Sequence, residues 1–244
     1  MKHWPYPRWI AHRGAGKLAP ENTLAAFRLG AEHGYRMFEC DAKLSADGVV
    51  FLMHDATLTR TTNGQGIGGE QPWLALSQLD AGSWHSRAYA GESLPTLESL
   101  ARFCLANRYF LNIEIKPTPG TAAATGEAVA RLAAQLWSTA LVPPLLTSFQ
   151  PDALAAAQVA APDLPRGLLV DKMWDGWFEK ALSLDCVAVV ANYALWDAST
   201  VARVHSANMK CLSYTVNDDW AAQHLLTLGT DGIITDRVDL FAPA

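Results

Sequence analysis

Eight short apolar, β-rich runs recur along the chain, with an alanine-rich helical stretch between most of them, and this alternation restricts the fold more than any other feature. The strand candidates are Trp9–His12, Met37–Ala42, Tyr109–Ile115, Leu145–Phe149, Arg166–Val170, Val187–Asn192, Cys211–Val216 and Gly232–Thr235. The helix candidates are Thr23–His33, Thr96–Ala106, Thr121–Trp137, Pro151–Ala160, Trp174–Leu182, Asp197–Asn208 and Asp218–Leu228. Strands separated by helices imply parallel βα units. Eight such units in 244 residues match a closed (β/α)8 TIM barrel. Local signals agree: Leu24, Phe27 and Ala31 make one apolar helix face. Pro20, with Asn22 as the cap, suits the start of that helix, and Gly34 suits its end. Pro151 and Asp152 open another.

One region breaks the rhythm. Ser45-Ala46-Asp47-Gly48 reads as a turn and Val49–Met53 as an extra strand, so the second barrel strand runs into a hairpin arm. Residues from about 55 to 95 are rich in Gly, Thr, Ser and Trp and form no βα unit; they read as a small subdomain inserted after the second strand, and long excursions of this kind are usually functional. The chain is expected to form one barrel domain over residues 1–244 with this insertion. The tail Val238–Ala244 is expected to pack over a barrel end or fray.

Hydrophobic residues make up 50% of the chain, which supports a core of that size. The net charge of −5, without a lysine-rich run, argues against nucleic acid or an anionic membrane as the main partner. An anionic substrate must then be held by local positive charge. Cys40, Cys104, Cys186 and Cys211 lie far apart with no CxxC pair, and read as buried thiols in a reducing compartment. Met1–Arg8 has no signal-peptide apolar region, and no apolar stretch is long enough to span a bilayer. The expectation is a cytoplasmic protein acting on a small molecule, without stable membrane insertion, with homo-oligomerisation left open.

Barrel enzymes carry their sites at the C-terminal ends of the strands, and the polar residues fall there. His12 and Arg13 end the first strand, Glu39 and Asp41 the second, Glu114 and Lys116 the third; Asn217 follows the seventh and Asp236 the eighth. His54 closes the hairpin arm and can fold back over the same mouth. Residues i and i+2 of a strand share a face, so Glu39 with Asp41, and Glu114 with Lys116, each aim two charged groups one way. Burying such groups is costly unless they are paired or hold a metal. Three carboxylates without sulfur or imidazole in the same motifs suit one hard divalent cation, Mg2+, Ca2+ or Mn2+. The charge count agrees: Glu39, Asp41 and Glu114 against Arg13 and Lys116 leave one negative charge, a phosphodiester adds another, and a divalent ion cancels both. The plain alternative is that Glu39–Lys116 or Glu114–Arg13 are ordinary ion pairs.

His12 and His54 are the candidate proton-transfer pair, since phosphodiester hydrolysis must activate a nucleophile and protonate a leaving alkoxide. Arg13 can bind phosphate oxygens bidentately and Lys116 can add a point charge. His3, His33, His85, His205 and His224 lack such neighbours and read as surface or packing residues. Phe149 and Tyr214, at the ends of the fourth and seventh strand candidates, either line the substrate pocket or cap the core. The run Gly64-Gln65-Gly66-Ile67-Gly68-Gly69 resembles a phosphate loop but lacks a preceding strand, a following helix and the Lys-Ser/Thr pair, so it reads as a turn. The nine tryptophans are scattered and form no binding stripe.

Taken together, His12-Arg13-Gly14, Pro20-Glu21-Asn22-Thr23, Glu39-x-Asp41, Asp47-Gly48, His54-Asp55, Arg60-Thr61-Thr62, Pro95-x-Leu97, Glu114-x-Lys116, Ser148-Phe149, Thr215-Val216-Asn217 and Asp231–Asp236 resemble the glycerophosphodiester phosphodiesterases, in order and over nearly the whole chain. The opening Trp4–Arg8, with Gly16–Thr23, is most similar to the cytosolic Ugp-type enzymes of bacteria. The resemblance implies a TIM barrel and hydrolysis of glycerophosphodiesters to sn-glycerol 3-phosphate and an alcohol. It implies Glu39, Asp41 and Glu114 as metal ligands, His12 and His54 as the acid/base pair, and Arg13 and Lys116 as phosphate-binding residues. Tyr214 stands where the family often has Trp, Ala42 where it often has Val, and Arg237 where a Pro often comes, which leaves head-group preference open. Two mechanisms remain open, attack by the neighbouring glycerol hydroxyl through a cyclic phosphate and direct attack by water, and so does the division of roles between the histidines. The competing classes are a related barrel phospholipase on another phosphodiester, for which membrane-binding features are missing from the sequence, and a non-catalytic sugar-phosphate-binding barrel, which should have lost one of the five key residues.

Overall fold

The computed structural model describes residues 4–241. In chain order the main elements are β1 (Trp9–Ala11), α1 (Leu24–Glu32), β2 (Met37–Leu44), β3 (Val50–Leu52), α2 (Trp73–Leu76), α3 (Leu97–Asn107), β4 (Phe110–Ile115), α4 (Ala122–Leu136), β5 (Leu145–Ser148), α5 (Pro151–Ala160), β6 (Arg166–Val170), α6 (Trp177–Ser183), β7 (Ala188–Asn192), α7 (Ala198–Ser206), β8 (Lys210–Tyr214), α8 (Asp219–Leu228) and β9 (Gly232–Thr235). All strands except β3 run parallel, and β1 pairs with both β9 and β2, which closes an eight-stranded (β/α)8 barrel. Its strands are buried on both faces, so they read as near-continuous apolar runs rather than as alternation.

Two apolar layers result. Outward residues such as Phe38, Cys40, Leu111, Ile113, Leu168 and Val189 pack under the helices. Inward residues Ile10, Met37, Leu145, Leu169, Val190 and Leu212 fill the barrel interior, and Tyr6 joins them, its hydroxyl donating to the Pro143 carbonyl at 2.9 Å. The polar inward residues lie above this layer, at the C-terminal mouth. Side-chain caps start the helices: Thr23 accepts from the Ala26 N–H, Thr96 from Ser99, Asp197 from Thr200 and Asp218 from Ala221. This corrects one expectation, because Thr23 caps α1 and Asn22 does not; Asn22 is turned into the left-handed region (φ 59°) toward the mouth.

The arm after β2 folds as expected at its turn, with β3 antiparallel to β2 in the register Ala42↔Leu52, Lys43↔Phe51 and Leu44↔Val50. Beyond it the chain builds a small core of its own from Phe51, Met53, Leu58, Leu76, Ala81 and Leu94. The glycine-rich run packs on that core, with Gly64 against Leu79 and Gly68 against Phe51, and no helix of the phosphate-loop type follows it. At the other end of the chain Phe241 stacks on Trp9 at 4.7 Å and accepts from the Tyr35 hydroxyl at 2.8 Å, so the tail packs as far as it is described. His3, read from the sequence as a surface residue, lies outside the described residues. No described helix is long and apolar enough to cross a membrane.

Candidate active site

Two adjacent strands supply the carboxylates. Their register pairs Glu39 with Asn112 and Asp41 with Glu114, so Asp41 and Glu114 stand side by side at the mouth with Glu39 one layer deeper. All three are buried, and one oxygen from each lies within 4.8 Å of the others. Glu39 Oε1 and Asp41 Oδ1 have no hydrogen-bond donor. Lys116 Nζ pairs with Glu114 Oε1 at 2.9 Å and stands 3.7 Å from Asp41 Oδ1. Orphaned buried polar atoms are rare in native structures and call for an explanation. Three converging buried carboxylates, two of them with an oxygen that no donor reaches and with no sulfur among them, fit a hard divalent cation.

The electrostatics point the same way. Burial, with Asp41 and Glu114 beside it, pushes the Glu39 carboxyl well above the usual range. Burial and Asp41 push Glu114 up to about 7. Asp41 behaves oppositely: burial raises it, but Arg13, Lys116 and His54, with the Asn22 hydrogen bond, hold it below the ordinary carboxylate range. Glu39 and Glu114 therefore retain proton character near neutrality that a divalent ion displaces.

β1 ends at Ala11, and the next residues form a tight turn with Arg13 at φ 52°. Gly16 (φ 57°) is needed here, because a Cβ would fall 2.1 Å from the Asp236 carbonyl oxygen. The turn brings the Arg13 N–H to Glu39 Oε2 at 3.0 Å and its Nη1 to Glu21 Oε1 at 2.9 Å. It also seats His12 Nδ1 2.7 Å from Asp236 Oδ1, and Asn217 Nδ2 donates to the other Asp236 oxygen at 2.9 Å. His54 Nδ1 lies 2.7 Å from Asp55 Oδ1. Hydrogen bonding holds both aspartates low, Asp236 to about 2 although burial opposes it, and an ionised carboxylate only accepts. Each ring therefore carries its proton on Nδ1 and leaves Nε2 for chemistry. His12 Nε2 faces the carboxylates, 3.8 Å from Glu39 Oε2. Burial lowers the His54 pKa, helped by the charges of Arg13 and Lys116 and opposed by Asp41 and Asp55.

These groups border a cavity of about 440 Å³ whose opposite wall carries Phe149, Leu169, Asp171, Asn192 and Tyr214. Phe149 and Tyr214 meet edge to face at 5.7 Å, and Tyr214 Oη donates to the Val170 carbonyl. Each ring borders the cavity and packs on the barrel interior. Every residue singled out for chemistry, His12, Arg13, Glu39, Asp41, His54, Glu114 and Lys116, comes to this one mouth. Of the remaining histidines, His85 Nε2 meets the Lys17 carbonyl, His224 stacks on Trp220, and His205 pairs with Asp231. Asp231 also accepts from Lys210 and from the Cys211 N–H, so this cluster has no carboxylate oxygen to spare for a cation.

Sequence reasoning missed several mouth residues. Asn22 donates to Asp41 Oδ2 at 2.8 Å and accepts from the Asp41 N–H at 3.1 Å. Lys43 is buried, donates to the Lys116 carbonyl at 3.2 Å and has its pKa lowered by burial to about 8. Asn112, Asp171 and Asn192 line the cavity. The same i, i+2 rule, run forward from Asp41 and back from Glu114, reaches Lys43 and Asn112. Asp171 follows β6 and Asn192 ends β7, where barrel sites lie.

Residues 12–240 match the model of the Glycerophosphoryl diester phosphodiesterase family. The chain is 31% identical over 228 residues to a glycerophosphodiester phosphodiesterase of Caldanaerobacter subterraneus subsp. tengcongensis, covering 93% of each chain. It is 30% identical over 253 residues to one of Bacillus subtilis, covering 95% of this chain and 84% of that one. Among solved structures, a phosphodiesterase of Oleispira antarctica in complex with the product sn-glycerol-3-phosphate superimposes with a TM-score of 0.88 at 34% identity, covering 95% of this chain and 93% of the other.

Proposed function

Because this chain belongs to the glycerophosphoryl diester phosphodiesterase family and is an enzyme of glycerophosphodiester hydrolysis, we propose that it works with one divalent cation and two histidines, releasing sn-glycerol 3-phosphate and an alcohol. The observation that carries this reading is the set of three converging buried carboxylates, Glu39, Asp41 and Glu114, beside two imidazoles oriented through Nδ1. The product seen in the Oleispira enzyme supports the same product here.

Glu39, Asp41 and Glu114 are the residues that hold the cation; when bound, it supplies positive charge for the phosphoryl oxygens. Arg13 and Lys116 add the remaining positive charge at the mouth, Arg13 by a planar fork and Lys116 as a point charge. His12 and His54 present Nε2 to the bound diester. One takes the proton of the attacking group, either water or the neighbouring glycerol hydroxyl whose cyclic phosphate water then opens, and the other gives a proton to the departing alkoxide. Asp236 and Asp55 hold the two rings in the tautomer this exchange needs. The apolar and aromatic half of the cavity, Phe149, Leu169 and Tyr214, shields the reacting centre from bulk water.

The same reading includes Ugp-type breadth toward the alcohol, with strictness for the glycerol side, and a cytoplasmic location supported by four buried, unpaired cysteines. The test is release of glycerol 3-phosphate from glycerophosphocholine, glycerophosphoethanolamine and glycerophosphoglycerol, against hydrolysis of bis(p-nitrophenyl) phosphate. All three glycerol esters should turn over; preference for the synthetic diester over every one of them contradicts the proposal.

A further inference from the structure

His54 and Arg13 come from separate parts of the chain, one from the arm after β3 and the other from the turn after β1. A third residue joins them. Arg60 Nε and Nη2 donate to Asp55 Oδ2 and Oδ1 at 2.6 and 3.0 Å, and Asp55 Oδ1 also takes His54 Nδ1. The same guanidinium donates through Nη1 and Nη2 to Glu21 Oε2 and Oε1 at 2.8 and 2.7 Å, and Glu21 Oε1 also takes Arg13 Nη1. One planar cation thus forks two carboxylates, and each carboxylate holds one residue of the site. Glu21 belongs to the same turn as Arg13, the Asn22 N–H bonding the Arg13 carbonyl at 3.0 Å.

The Arg60 side chain is 43% exposed, which weakens its ion pairs, while their bidentate, networked geometry still lets them contribute to folding. What the fork does is geometric. With both oxygens of Asp55 engaged, the carboxylate cannot pivot, so Oδ1 stays aimed at His54 Nδ1. With both oxygens of Glu21 engaged, Arg13 is braced from behind. Only a guanidinium has the donors and planarity to grip two carboxylates at once.

We propose that Arg60 is a positioning residue of the reaction, clasping Asp55 to Glu21 and thereby fixing His54 relative to Arg13 across the mouth. This rests on the hydrolytic reading above. It also gives the excursion after β3 a task, because the turn from Asp55 to Arg60 returns the guanidinium to the barrel mouth.

The test compares wild type, Arg60→Ala and Arg60→Lys as full-length chains at saturating divalent ion, with glycerophosphoethanolamine as substrate and with and without dilute guanidinium. Arg60→Ala should keep its circular dichroism spectrum while kcat falls roughly 10–100-fold. Added guanidinium should recover several-fold of that loss and leave wild type unchanged, and Arg60→Lys should stay low. The His54 Nδ1 proton, followed by NMR in chelated protein, should be protected in wild type and exchange-broadened in Arg60→Ala. A folded Arg60→Ala enzyme with wild-type kcat and a protected Nδ1 proton overturns the inference. So does a loss that guanidinium leaves untouched and that tracks only the fraction of unfolded chain. A wild-type chain inactive on every glycerophosphodiester overturns the hydrolytic reading, while the NMR signal still reports whether Arg60 orders His54.

Discussion

Asp41 on β2 and Glu114 on β4 are register partners, so two carboxylates that repel each other stand side by side at the barrel mouth. Together with Glu39 beneath them they form a buried acidic trio that the fold tolerates at a cost in the absence of a cation.

That cost has a pH signature. Burial raises Glu114 from 4.5 to about 7 and lifts Glu39 well above the usual carboxylate range, so above pH 4.5 the folded chain binds more protons than the unfolded chain. Stability of the metal-free protein therefore falls as pH rises. His54, lowered from 6.5, works the other way up to about that pH, and Lys43 does so as pH approaches 8, so the range of least opposition is pH 6.5 to 8. Asp41, lowered from 3.8, titrates below this range. In chelator, Tm should drop from pH 6.5 to 8 and Glu114→Gln should flatten the drop. A chelated wild-type Tm that rises over that interval contradicts the assignment.

If His12 and His54 divide the acid and base roles, each Ala variant should lose roughly 10²–10⁴-fold in kcat. The double variant should lose less than the product of the two, since both act on one transition state. The wild-type profile of kcat/KM against pH should be bell-shaped, with one limb missing in each single variant. Steady-state rates across pH for the three variants check this, and wild-type turnover by His54→Ala would reduce His54 to a structural residue of the arm.

Asn22 should matter to both stability and cation binding. It is 2% exposed and serves Asp41 twice, its side-chain Nδ2 donating to Asp41 Oδ2 and its Oδ1 accepting from the Asp41 N–H. Asn22→Leu leaves those groups buried without partners, a loss of about 1–3 kcal/mol. Affinity for the divalent ion should weaken by about 10-fold or more, because Asp41 loses its orientation. Urea unfolding and calorimetric titration of the variant measure the two effects, and unchanged values in both would show that Asn22 serves only the turn.

The barrel was legible because its signals are local. Each strand is a short apolar run, and a polar residue at its end already lies on the catalytic rim. The carboxylate pairs were legible for the same reason, as i and i+2 need no knowledge of partners. Relationships across the chain were not. His12 and Asp236 are 224 residues apart, and only barrel closure brings them to 2.7 Å. Asn22 misled because Asn and Thr both cap helices well, and the choice between neighbours was decided by Asp41, a residue on another strand. Arg60 stood in a recognised motif, but its fork depends on how the excursion folds back, which no periodicity encodes.

The central claim is that hydrolysis depends on a divalent ion held by Glu39, Asp41 and Glu114. The most direct test is glycerol 3-phosphate release from glycerophosphoethanolamine by the chelated enzyme, before and after adding back Mg2+, Ca2+ or Mn2+, for wild type and Glu39→Gln. The wild-type enzyme should be inactive in chelator and recover fully with at least one of these ions, while Glu39→Gln stays folded and recovers only a small fraction. Full wild-type activity in excess chelator would contradict the claim.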